Sequence, residues 1–234
     1  YWRVSRYGVQ AMASSLDQVG PMTKTVEDNL ILLKAIAWYD DNDSNSVKID
    51  DYQKMDEAMK LPDLKWFKIA LPKQYFEEWL DLWVKEVILS AVEKLKELWA
   101  EIKEISLPMT KYAVATYYIL MPAEVSTNLG RLDGLRYWHV SNKWYTSMDE
   151  FYENNRWEGF WDETQRRIIL WSYVLSAWFY DAYYKKAWQI RTLIMQDFQK
   201  AFSEVDVIVS PASPDVAWKL GEKIDDPIKM YLSD

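Results

Sequence analysis

Arg166 and Arg167 stand side by side at the head of "RRIILWSYVLSAWFYDAYYKKAWQIRTLI". A guanidinium can hold a carboxylate through two parallel hydrogen bonds, which an ammonium cannot reproduce. On spacing alone the pair reads first as a solvated helix face and second as an anion clamp. Ser14 and Ser15, with Asp17 close behind, pose the question of a nucleophile. A serine hydroxyl needs a positioned base to attack anything. No Gly-rich elbow surrounds these serines and no lysine or histidine is adjacent, so a polar loop ahead of Gly20-Pro21 is the expected reading. His139 is the only histidine and sits among Tyr137, Trp138 and Ser141 in a polar stretch, where a surface role is expected. A multi-histidine metal site is therefore impossible, and the lack of cysteine excludes disulfides and thiolate sites. Phosphate-loop and dinucleotide fingerprints are absent.

These side chains must be held by regular elements. Thr25 with Asp28 three residues on resembles a capping box, and Leu30, Leu33 and Ile36 follow at helical spacing, so a helix is predicted over about 26–37. "YDDNDSNSVKIDDY" reads as an exposed, mobile acidic loop. "WFKIALP" reads as a buried strand ended by Pro72. Val84, Val87, Ile88, Ala91, Val92, Leu95 and Leu98 form one apolar helical stripe. "AEIKEISLP" alternates as a strand does, so strand, helix and strand predict a βαβ unit with parallel pairing. Residues from about 110 to 131 are predicted helical, broken or kinked at Pro122. Residues 136–155 read as irregular and polar, and 163–205 as a long helical region with Asp197 the one polar member of its apolar face. "DVIVSPASP" is a short strand running into a Ser/Pro loop. The chain reads as one α/β piece with a helical flank.

The totals narrow the function classes. A chain of 234 residues can bury a sizeable core. Its net charge of −8 gives no overall attraction to nucleic acid, so contact with RNA is expected through a partner. The longest apolar runs fall well short of the roughly 20 residues that cross a bilayer, so no membrane partner is expected. The first residues, Tyr1-Trp2-Arg3-Val4, look like the middle of a longer protein.

Several long stretches carry a resemblance. "RVSRYGVQAMASSLDQVGPMTKTVED" is similar to the segment that follows the catalytic serine in the amidase signature family. "KYAVATYYILMPAEVSTNLGRLDGLRYW", the arginine stretch and "GEKIDDPIKMYLSD" resemble, more narrowly, the glutaminase subunits of the amidotransferases that act on glutamyl-tRNA(Gln) and aspartyl-tRNA(Asn). The likeness covers essentially the whole chain. It implies an amidase-signature α/β fold, a mixed β-sheet covered by helices, with residues 1–234 as a single partial amidase domain and the sheet incomplete. It also implies a glutaminase that releases ammonia to a B subunit, where glutamate or aspartate on mischarged tRNA is amidated, with a C subunit bracing the pair. No cofactor is implied for the glutaminase itself; ATP and magnesium belong to the B subunit, which also makes the main contact with aminoacyl-tRNA. A cytoplasmic location follows from the same likeness. The family's catalytic lysine and two serines lie upstream of Tyr1, so no catalytic residue is expected in this chain. Arg167 matches the position that holds the α-carboxylate of glutamine, with Arg166 its neighbour in register. Asp234 matches the acid that meets the α-ammonium, and Tyr117 or Tyr118 matches a tyrosine lining the pocket. A different amidase-signature hydrolase and a non-enzymatic, aromatic-rich binding module are the competing readings.

Tryptophan is the departure from that family. The chain has 14 Trp and 6 Gly, whereas an average glycine frequency would give about 16. Trp2, Trp38, Trp66, Trp79, Trp99, Trp138, Trp161, Trp171 and Trp178 stand where the family typically carries glycine, with Trp157 and Trp188 less clear. Trp171 and Trp178, seven apart, are expected on one helix face. A gene that uses UGA for glycine, translated with a table that reads UGA as tryptophan, would produce this pattern.

Overall fold

The computed structural model describes residues 2–49, 51–77, 79–176 and 179–219. In chain order its main elements are helix α1 (Val26–Ile36), helix α2 (Tyr52–Ala58), strand β1 (Lys68–Pro72), helix α3 (Leu82–Glu97), strand β2 (Glu101–Ile105), helices α4 (Ala113–Leu129), α5 (Met148–Gly159), α6 (Asp162–Val174) and α7 (Lys186–Phe202), and strand β3 (Val207–Ile208). The chain divides into two compact units, Tyr1–Lys60 with Tyr118–Lys186 and Leu61–Tyr117 with Ala187–Asp234.

The second unit is built on the predicted βαβ arrangement. β1 pairs in parallel with β2, Ile69 opposite Ile102, and on its other side in parallel with β3, Ile69 opposite Val207, giving the order β2-β1-β3. A parallel pair needs a crossover, and α3 supplies it. β1 is central, so it is apolar after Lys68, and Ile69, Ala70 and Pro72 are buried. Pro72 costs no ladder bond in mid-strand because it is the last residue of β1. The N–H of Lys68 at the other end donates to Asp206 Oδ2 at 2.8 Å. α3 starts at Asp81, whose carboxylate accepts the N–H groups of Trp83 at 2.9 Å and Val84 at 3.2 Å. The seven-residue apolar stripe is only partly used: Val92 is buried, Val84, Ile88 and Leu95 are half-buried, and Val87, Ala91 and Leu98 are exposed. Asp197, the polar member of the α7 face, accepts the Met109 N–H at 2.8 Å. That group opens the 3₁₀ turn Pro108–Tyr112 and would otherwise have no helical partner.

The first unit packs α4 on the amino-terminal segment. Met121 and Val125 of α4 form a buried cluster with Ala13, and Leu16 and Leu129 pack against it. Three expectations are corrected here, and of the two readings of Pro122 the break is excluded: the residue is buried and stays inside α4. The stretch 136–155 is not irregular throughout, because α5 begins at Met148, where Ser147 accepts the Glu150 N–H at 3.2 Å and Glu150 accepts the Thr146 N–H at 2.7 Å. This is a variant of the reciprocal capping box, legible as "SMDE". The long helix over 163–205 is interrupted: α6 ends at Val174 and a π-helical turn, Tyr180–Lys185, precedes α7. The arginine stretch is therefore not one helix, and Trp178 lies outside the described residues. The acidic loop, finally, is anchored. Buried Asp43 accepts the Arg6 side chain from Nη2 at 2.8 Å and Nε at 3.1 Å, and the Arg6 N–H at 2.9 Å. The hydrogen bonds from Arg6, side chain first, hold the Asp43 carboxyl far below the ordinary aspartate range.

Candidate functional site

The site begins on the first two turns of α6. Acidic side chains favour a helix N-terminus, and Asp162 and Glu163 occupy it. Glu163 lies three and four residues before the two arginines, so all three meet on one face. Arg167 Nε donates to Glu163 Oε1 at 2.9 Å, and Arg166 Nη1 donates to Oε2 of the same carboxylate. The two arginines differ in setting: the Arg166 side chain is 58% exposed and that of Arg167 is 24% exposed. Arg167 is thus a partly shielded cation fixed in direction by an ion pair to Nε. Glu163 does not stand out in the sequence, although its spacing to both arginines is a usable signal.

Tyr117 and Tyr118 lie on α4. Tyr117 is exposed and belongs to the second unit; Tyr118 is half-buried and belongs to the first, as Arg167 does. Asp234 lies outside the described residues.

The serines that follow the amino-terminal segment are built into a clamp. Asp17 accepts the N–H groups of Met12 at 2.9 Å and Ala13 at 3.0 Å, which spends its carboxylate inside its own turn. Glu124 of α4 accepts the Ser15 N–H at 2.9 Å and also the Ser15 hydroxyl. One turn further along α4, buried Asn128 donates to the Met12 carbonyl at 3.0 Å and to Ser14 Oγ at 2.9 Å. A carboxylate tied to both the backbone and the hydroxyl of one serine fixes a loop; it is not arranged as a base. The polar-loop reading of Ser14, Ser15 and Asp17 agrees with this geometry. Two polar residues one turn apart in an apolar helix were the available signal for Glu124 and Asn128.

A cavity of about 470 Å³ opens beside this clamp, lined by Ser14, Ser15, Glu124, Asn128, Tyr180 and Tyr184 among others. A larger one, about 840 Å³, lies between α5 and α6. Its Gln165 amide already donates to the Phe160 carbonyl at 2.7 Å and its Arg156 to the Gly130 carbonyl at 3.0 Å. The smaller cavity is the one at which the conspicuous serine loop meets α4. Arg167, Tyr117 and Tyr118 line neither. His139 is a surface residue, its Nε2 3.0 Å from Glu158. With Lys143 and Ser141 it holds the Glu158 carboxyl down to about 2, the His139 hydrogen bond being the largest cause.

The family model described as Amidase matches residues 1–234. The chain belongs to the amidase family. Relatives named as the A subunit of glutamyl-tRNA(Gln) amidotransferase are 49% identical over 236 residues in Persephonella marina and 49% identical over 234 in Staphylococcus aureus, in each case 100% of this chain and 48% of the relative. A crystal structure of the same glutamyl-tRNA(Gln) amidotransferase component from Thermotoga maritima is 34% identical, with a TM-score of 0.72 over 100% of this chain and 45% of that one. A structure described as an amidase, 21% identical with a TM-score of 0.66 over 95% of this chain and 41% of that one, shares the fold. The amidase chain thus spans about half the length of the curated relatives it matches. Its three parallel strands and surrounding helices are the part of the amidase-signature α/β fold that the described residues contain.

Proposed function

We propose that this chain is part of the glutaminase subunit of a tRNA-dependent amidotransferase, within a single amidase domain. The observation that carries the reading is the half-identity, along the chain's entire length, to relatives named as the A subunit of glutamyl-tRNA(Gln) amidotransferase. The chemistry of the site supports it. Glutamine is a zwitterion at its head group, so it needs one fixed cation and one fixed anion. Arg167 is the cation, held in direction by Glu163 and more sheltered than Arg166. Asp234 is the anion for the α-ammonium, and Tyr117 or Tyr118 forms a wall. The lysine and serines of the reaction belong to the upstream half of the protein, and the chain here recognises substrate without cleaving it. B and C subunits are the partners in a cytoplasmic complex. ATP, magnesium and the principal tRNA contacts lie on the B subunit, and glutamyl-tRNA(Gln), aspartyl-tRNA(Asn) or both are amidated.

The test is reconstitution of the full-length protein with its B and C subunits. Glutamine-dependent conversion of glutamyl-tRNA or aspartyl-tRNA, with ammonia replacing glutamine when the glutaminase is inactivated, is the expected result. Hydrolysis of another amide with no response to glutamine would overturn the reading.

A further inference from the structure

Six described residues have a backbone in the left-handed region. Two are glycines, Gly8 at φ 84° and Gly134 at φ 83°. The other four are all tryptophans: Trp2 at 60°, Trp66 at 79°, Trp99 at 71° and Trp138 at 88°. Asparagine and aspartate are the side chains that ordinarily share this region with glycine, and tryptophan is not. No Asn or Asp of the described chain is found there.

Two of the four sit in motifs with a defined demand for glycine. At the end of α3, Leu98 is the C-cap, so Trp99 is the next residue outward. The Trp99 N–H donates to the Lys96 carbonyl at 2.9 Å and the Ala100 N–H to the Leu95 carbonyl at 3.1 Å. These are the two bonds of a Schellman motif, whose left-handed position is usually glycine. Before β1, the Phe67 N–H donates to the Leu64 carbonyl at 3.0 Å, which makes Trp66 the third residue of a four-residue turn. Lys65 is not in the left-handed region, so the positive φ at the third position alone is that of a type II turn, where glycine is preferred.

Burial does not repay the indoles for this. Trp66 is 92% exposed and Trp99 68% exposed, and Trp2 and Trp138 are exposed as well. All 12 tryptophans with described side chains are exposed, although tryptophan is highly buried on average. Lys65 lies 5.7 Å from the Trp99 ring, the kind of surface contact that contributes little.

We infer that positions 2, 66, 99 and 138 carry glycine in the protein as the source makes it, and that each is encoded by UGA read there as glycine. A single codon with two meanings accounts for the direction of every exchange. It also accounts for the glycines that remain, since GGN codons read as glycine in both tables. Among the described residues only these four positions qualify. Trp38, Trp79 and Trp161 stand outside the left-handed region, and Trp83 lies in the first turn of α3, where glycine has no advantage.

Three measurements decide it. The gene is sequenced at the four codons, and peptides of the protein purified from its source are weighed. UGA at all four, with peptide masses of glycine, is the expected result; UGG at any of them, or a tryptophan mass, overturns the inference. Full-length protein is then made with tryptophan or with glycine at all four positions, and with Trp83→Gly as the comparison. The fourfold glycine protein is expected to unfold several degrees higher, or to be the only one that folds, while Trp83→Gly lowers the midpoint. A fourfold exchange that leaves the midpoint unchanged or lowers it also overturns the inference.

Discussion

At the scale of single residues, Arg167 and Asp43 show what a charge gains from where it is held. Arg166 and Arg167 share the Glu163 carboxylate, but only Arg167 is sheltered from bulk water. Charge-assisted hydrogen bonds are worth about 1.5–3 kcal/mol, which corresponds to roughly 10–100-fold in affinity. In the full-length enzyme, Arg167→Lys is therefore expected to raise the KM for glutamine by about that factor, because an ammonium cannot present the planar fork. Arg166→Ala is expected to change it by less than about 3-fold, in line with the small effect of exposed charges. Steady-state glutaminase kinetics of the two variants check the assignment, and equal effects would point to the neighbouring register. Asp43 leads to a prediction about pH. Its carboxyl is depressed by the hydrogen bonds of Arg6, so its contribution is complete above the unfolded aspartate value near 4. The contribution is lost as pH falls through the lower, folded-state value. Asp43→Asn should reduce stability at neutral pH and flatten the acid limb of a stability-versus-pH curve. An unchanged curve would mean that the pair is energetically neutral.

At the scale of elements, the parts that were legible are those whose own residues decide them. α1, α3, β1 and β2 followed from capping residues, helical spacing, Pro72 and strand alternation, and all four are present. α5 carries a readable "SMDE" signal that the polarity of its surroundings hid. The break between α6 and α7 was not legible, since Leu170 through Lys186 keeps helical composition without a proline or glycine to mark it. The clamp between Ser15 and α4 joins residues 109 apart in sequence, which no local pattern encodes. Glu124→Ala removes the carboxylate that accepts the partly buried Ser15 N–H and should cost about 1–3 kcal/mol. Ser15→Ala removes only the hydroxyl and should cost about 0.5–1.5 kcal/mol. Denaturant midpoints of the two full-length variants give this comparison.

At the scale of the whole molecule, the amidase chain is proposed to carry recognition, and the groups that break the amide bond are proposed to lie elsewhere in the protein. Acyl transfer needs a nucleophile, a base and oxyanion donors in one place. The serines found here are tied to Glu124 and Asn128, and Asp17 is spent on two backbone N–H groups. Purified residues 1–234 are therefore expected to release no ammonia from glutamine above the uncatalysed rate, and the full-length protein is expected to release it. Measurable turnover by the short chain would require a catalytic group among these residues. Among the described residues no helix is long and apolar enough to cross a membrane. The exposed Val87 and Ala91 on α3 and Leu98 at its C-cap leave three of the seven stripe residues uncovered within these residues, in a chain about half as long as its relatives.

By itself the sequence determined α1, α3, the parallel crossover and the family likeness, because caps, periodicity and long collinear motifs are properties of neighbouring residues. It also raised the question of the tryptophans through simple counting. Only the tertiary structure decided that Asp43 is a buried partner of Arg6, that Glu124 locks the Ser15 loop, and that Arg167 rather than Arg166 is sheltered. Burial and pairing across a hundred residues depend on which surfaces meet. The backbone decided the last point as well. A count cannot tell a useful tryptophan from a misplaced one, but φ can, since a Cβ is penalised in the left-handed region whatever the rest of the side chain does.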